Sequence, residues 1–106
     1  MSENLKTILT ELRRRFEALY GERLVKIVLY GSQARGDAES GSDIDVLVVL
    51  RRAVNPGEEI ARTGEIVADL SLRFDEAICC AFMEEDRFNR RNGPLLRNIR
   101  REGIVV

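Results

Sequence analysis

The eight residues from Asp43 to Leu50 read DIDVLVVL. After the two aspartates at its start, this run has no polar position left to show to water. Alternate residues of a strand point to opposite faces. A strand that is apolar on both faces is one that is covered on both. A helical pattern with strong punctuation follows. Asn55 suits the cap, Pro56 the first helical position, and Glu58 stands three residues after the cap. Ile60, Thr63, Val67, Leu70 and Phe74 fall on one inner stripe. Glu76 to Phe82 (EAICCAF) then reads as another strand. Strand, helix and strand in this order imply a right-handed crossover and a parallel pair.

The rest of the chain fits around that unit. Leu5, Ile8, Leu9, Leu12, Phe16 and Leu19 recur at helical spacing, with Ser2 as cap and Gly21 as stop. Leu24 to Tyr30 (LVKIVLY) reads as a strand. Ser32 to Arg35 reads as a short helical turn, and Gly36 to Ser42 as a polar loop. Glu84 to Arg91 is a short polar helix or turn. Pro94 opens a last helix that Gly103 ends, and Ile104 to Val106 forms a small terminal strand. The fold class expected is α/β (α+β), a small mixed sheet with flanking helices. With 106 residues, the expectation is one domain spanning 1–106.

Composition removes several chemistries. There is no histidine, so histidine triads, bases and zinc ligands are excluded. The two cysteines are adjacent, Cys79 and Cys80, and make no disulfide framework. They read as reduced thiols of the strand, in the core or near a site rather than as nucleophiles, in a cytoplasmic protein. No apolar run approaches the ~18–20 residues of a membrane span, and the N-terminus has no signal-like core. Any chemistry must then rest on carboxylates, hydroxyls, thiols, arginines or a metal.

Such a set stands between Gly31 and Leu50, GSQARGDAESGSDIDVLVVL. A strand ends at Gly31, where the backbone can approach a ligand closely. Ser32 opens a short helix, and free N–H groups beside a hydroxyl make a corner suited to phosphate. Ten residues later come Asp43 and Asp45. On a strand they share a face, roughly 6.5–7 Å apart along the chain. Two like charges there call for a counter-charge. Hard oxygen ligands favour magnesium or manganese, and magnesium takes one or two carboxylates together with substrate phosphates. The combination points to a metal–nucleotide site.

This stretch resembles the signature of the nucleotidyltransferase superfamily with the DNA polymerase β-like palm: Gly-Ser, ten residues, then Asp-x-Asp. The short length and the ending PLLRNIRREGI are similar to the minimal nucleotidyltransferases, which pair with HEPN-domain toxins. The resemblance implies that Asp43 and Asp45 hold Mg²⁺ and that Gly31 and Ser32 bind the β- and γ-phosphates of ATP, with Arg35 and Ser42 as further candidates around the nucleotide. An acceptor hydroxyl would attack the α-phosphorus and pyrophosphate would leave, with a two-metal clamp holding entering and leaving oxygens. Minimal members transfer AMP, in several cases to a tyrosine of the toxin, and so act as antitoxins. A third carboxylate is usual on the next strand. Asp75 is the expected one, level with Asp43 and Asp45 at the start of a parallel strand. Asp69 is the runner-up, and Glu76 would face the opposite side.

Two other readings stay open beside AMP transfer to a toxin. One is nucleotidyl transfer to a small hydroxylated molecule, for which the chain has no extra substrate domain. The other is a non-catalytic antitoxin that acts by binding. Arg35 suits phosphates or an ion pair with Asp37 or Glu39, and Gln33 and Ser42 suit loop positioning. The six arginines from Arg87 to Arg101, with no acid among them, suit a solvated helix face, nucleotide phosphates or an acidic partner, or nucleic acid. A net charge of −1 and few aromatics to stack bases argue against nucleic acid. No membrane partner is expected, and homo- or hetero-oligomers both fit the pattern.

Overall fold

The computed structural model describes residues 1–39 and 41–106. Helix α1, Glu3–Tyr20, starts where Ser2 accepts the Leu5 amide at 3.1 Å and ends at Gly21, whose φ of 57° few other residues adopt. A single 3₁₀ turn, Gly21–Arg23, leads into strand β1, Leu24–Tyr30. The four-residue helix α2, Ser32–Arg35, precedes strand β2, Ile44–Leu50. Helix α3 runs Pro56–Phe74, with Asn55 capping the Glu58 amide at 3.2 Å. Strand β3 is Ile78–Glu84, followed by helices α4, Glu85–Arg90, and α5, Pro94–Glu102, and by the short strand β4, Ile104–Val105.

The strands form one sheet in the order β3-β2-β1-β4. β2 and β3 are parallel, as the strand–helix–strand unit demanded, while β1 runs antiparallel to both β2 and β4. The sheet is therefore mixed. β2 is covered on both faces. Ile44, Val46, Val48 and Leu50 pack with Ile8, Leu12 and Phe16 of α1 and Leu70 of α3. Leu47 and Val49 pack with Phe88 of α4 and Leu96 and Ile99 of α5. The two-sided apolar run thus divides one core from another.

Three details depart from the periodic pattern. Leu19 is 42 % exposed, and Tyr20 takes its place against the core. On α3, Ile60 is 56 % exposed, and the buried position beside it is Glu59, at 2 %. The Tyr20 hydroxyl donates to Glu59 Oε1 at 2.7 Å, with Arg62 3.2 Å from the same oxygen and Arg23 3.4 Å from the other. This buried network ties the end of α1 to the start of α3. Burial, then the bond to Glu59, pushes the Tyr20 phenol well above its usual range. The third departure is the start of β3, two residues later than the apolar pattern indicated.

Candidate functional site

Parallel pairing fixes what meets at the head of the sheet. Asp45 lies opposite Cys79 on β3 and opposite Tyr30 on β1. All three side chains leave the sheet on the side that carries α4 and α5, the side of Leu47 and Val49. Asp43 stands one step before β2 on the same alternation. One oxygen of Asp43, one oxygen of Asp45 and Cys79 Sγ all lie within 4.8 Å of one another. The Cys79 thiol donates to Asp43 Oδ2 at 3.5 Å.

The electrostatics follow from that crowding. Burial raises the affinity of the Asp45 carboxyl for its proton, and the charge of Asp43 adds to the effect. Partial loss of hydration pushes the exposed Cys79 thiol up, followed by its bond to Asp43. Tyr30 is raised by burial and then by Asp45. Cys80 turns to the other face of the sheet, where burial pushes its thiol up to about 12.

Gly31 closes the corner. Its φ of 76° and ψ of −158° belong to a region essentially reserved for glycine. A Cβ at this position would stand 2.7 Å from Asp45 Oδ2. The glycine is therefore required twice, by its own backbone and by the carboxylate packed against it. The Gly31 carbonyl accepts from the amides of Ala34 and Arg35, and so turns Ser32 to the open N-terminal end of α2. Beside it, Tyr30, Gly31, Arg35, Leu95, Asn98, Ile99 and Glu102 line a cleft of about 230 Å³ between α2 and α5.

The donor set fits a divalent cation. Two carboxylates on one face repel each other, and no basic side chain pairs with either among the described residues. The site brings together Gly31, Ser32, Asp43 and Asp45 as the motif indicated. It does not bring Asp75. That residue ends α3 in the left-handed conformation, φ 52° and ψ 49°, with its amide bonded to Ser71. The expectation of Asp75 as third carboxylate rested on β3 beginning at Glu76. With Ile44 paired to Ile78, the residue level with Asp45 is Cys79. Asp69 is no substitute, because it pairs with Arg15 at 2.5 Å and Arg73 at 3.3 Å.

The outlying candidates have structural partners. Arg35 pairs with Asp37 at 3.2 Å and Glu102 at 3.5 Å. Ser42 Oγ accepts the Glu39 amide at 2.9 Å, and Gln33 donates to the Ser42 carbonyl at 3.4 Å. Both side chains shape the loop ahead of Asp43. Among the C-terminal arginines, Arg100 donates to backbone carbonyls of Phe88 and Arg91 and to the Asn92 side chain. It splices α4 to α5 rather than facing the site. Cys79, which the sequence placed in the core or near a site, stands beside the two aspartates. Its signal was the alternation along β3, which becomes readable only once the start of the strand is known.

Residues 5–104 match the model of the nucleotidyltransferase domain family, and the chain belongs to that family. It is a nucleotidyltransferase of mixed α/β architecture. Among curated proteins it is 30 % identical to "Putative protein adenylyltransferase MJ0604" of Methanocaldococcus jannaschii, over 97 % of this chain and 98 % of that protein. In fold it is similar to a toxin–antitoxin crystal structure with AMP-PNP, with a TM-score of 0.62 and 22 % identity over 98 % of this chain and 72 % of that one. It is also similar to a complex of tri-AMPylated Shewanella oneidensis HEPN toxin with MNT antitoxin. There the TM-score is 0.55 and the identity 20 %, over 96 % of this chain and 67 % of that one.

Proposed function

We propose that this nucleotidyltransferase transfers AMP from ATP to a protein hydroxyl, a tyrosine of a HEPN-type toxin, and thereby acts as its antitoxin. The observation that carries the reading is the convergence of Asp43 and Asp45 on the Gly31–Ser32 corner. The described relative named as an adenylyltransferase and the fold shared with MNT–HEPN complexes support it. Gly31 leaves the space that the Asp45 carboxylate takes beside the corner. Ser32 and the first amides of α2 face the β- and γ-phosphates. Asp43 and Asp45 would hold magnesium. Bound there, the cation would neutralise the triphosphate and the departing pyrophosphate. The acceptor oxygen gains the bond to the α-phosphorus that the pyrophosphate oxygen loses, and the hydroxyl proton is released.

A cytoplasmic setting agrees with two free thiols. No helix among the described residues is long and apolar enough to cross a membrane. A second reading has one observation in its favour: a thiol stands where a third carboxylate was expected, which suits an antitoxin that works by contact alone. One assay separates the two. The protein is incubated with α-labelled ATP, magnesium and a HEPN-type toxin. Label on the toxin that disappears in Asp43→Asn and Asp45→Asn supports AMP transfer. Label that persists in both variants refutes the role given to the aspartates. Toxin neutralisation with no label on it supports the contact mechanism.

A further inference from the structure

The group at the head of β2 and β3 is not a set of three carboxylates. Cys79 is exposed, is a free thiol, and leaves the sheet on the same face as Asp45. Its sulfur lies 3.5 Å from Asp43 Oδ2. In a tetrahedral zinc site, with Zn–S near 2.3 Å and Zn–O near 2.1 Å, neighbouring sulfur and oxygen ligands stand about 3.6 Å apart. The Cys79–Asp43 pair already has that spacing. Asp45 falls within 4.8 Å of both. We propose that Cys79 is the third protein ligand of the cation held by Asp43 and Asp45, and that its sulfur turns the site from magnesium toward zinc-class divalent cations.

The inference rests on the reading of Asp43 and Asp45 as a cation site. Its chemistry is that of ligand softness. Magnesium asks for near-octahedral oxygen ligands and gains little from sulfur. Zinc, cobalt and cadmium bind thiolate strongly, and the thiol gives up its proton as the metal arrives. Cys80 supplies an internal control, being adjacent in sequence but on the opposite face of the sheet.

The test is metal binding by the full chain, with no nucleotide and no turnover. Metal-free protein is titrated with Co²⁺, and thiolate-to-cobalt charge-transfer absorption is followed. Zn²⁺ and Mg²⁺ affinities are then measured calorimetrically. The band is expected in the unaltered protein and in Cys80→Ser, and is expected to vanish in Cys79→Ser. Zinc affinity in Cys79→Ser should fall by more than the ~10–100-fold that losing an outer partner of a metal ligand costs, while magnesium affinity stays within a factor of about two. Cys79→Asp should raise magnesium affinity and lose the band, which shows that the site still folds. Absence of the band, or equal zinc affinity in Cys79→Ser, overturns the proposal, while loss of zinc in Asp43→Asn and Asp45→Asn would leave the cation site standing. Zinc binding unchanged in both aspartate variants overturns the cation site and this proposal with it.

Discussion

Replacing Gly31 with alanine tests the geometry of the site most directly. Two costs can be separated. The first is the backbone. At φ 76° and ψ −158° any residue with a Cβ is strained by roughly 1–3 kcal/mol. For a chain of this length each kcal/mol lowers the melting temperature by about 4–8 °C, so a fall on the order of 5–20 °C is expected. The second cost falls on Asp45. The new Cβ would stand 2.7 Å from its Oδ2, where ordinary contact begins at 3.4 Å. The oxygen must therefore retreat by about 0.7 Å, several times the ~0.2 Å that a metal–ligand distance tolerates. Gly36→Ala is the matched control. Gly36 has φ 80°, but nothing lies within 4 Å of a Cβ there. Both variants should lose stability, measured by thermal unfolding. Only Gly31→Ala should lose divalent cation affinity, measured calorimetrically on the folded protein. If Gly31→Ala bound cations as the unaltered chain does, the argument that this glycine exists to make room for the carboxylate would fail.

Two further perturbations follow. Burial and Asp43 raise the Asp45 carboxyl above its ordinary value, so the metal-free folded state holds that proton more tightly than the unfolded chain, and stability falls as pH rises from the ordinary aspartate range through the raised value. Asp45→Asn should therefore melt higher than the unaltered protein at neutral pH, and the advantage should disappear in acid below the ordinary range; equal melting at neutral pH would refute it. The Glu59 network gives the second. Tyr20→Phe removes one hydrogen bond to a buried carboxylate and should cost about 1.5–3 kcal/mol, whereas Glu59→Ala empties a buried side-chain position and leaves the Tyr20 hydroxyl without its acceptor, while Arg23 keeps the Arg51 and Ala53 carbonyls, and should cost about 2–5 kcal/mol. Urea unfolding of the two single variants and the double variant checks both. Additive losses would show that the two residues do not act as one network.

Much of the fold could be read from the chain because the signals were local. Ser2, Asn55 and Pro56 start helices where their chemistry says they should. The run from Val46 to Leu50 is buried on both faces because it has no polar alternative. Gly31, Ser32, Asp43 and Asp45 could be read because their spacing is a property of one short stretch. What escaped depended on tertiary placement. Whether Leu19 or Tyr20 is buried turns on a hydrogen bond to a residue in another helix, as does the burial of Glu59 in place of Ile60. Asp75 was misjudged because the register of a parallel strand is set by where the crossover helix delivers the chain. Asp75 itself ends that helix. The observed register sets Cys79, four positions after Asp75, opposite Asp45.

The parallel pairing of β2 with β3 also bears on how the molecule comes to have a site at all. Asp43 and Cys79 are 36 positions apart, and they meet only after the chain has travelled through α3 and returned. Pairing of this kind must meet the entropy of loop closure before it gains its contacts, and it forms later than local helix and turn structure. A partly folded chain could hold α1, the Gly31 turn and the β1–β2 pair and still lack the complete ligand set. A cation that needs ligands from both β2 and β3 would then recognise the closed crossover and not its precursors. Its binding free energy would add to the native state alone, and would act chiefly by slowing unfolding. The ion would serve as a clasp on the finished sheet as well as a reagent within it.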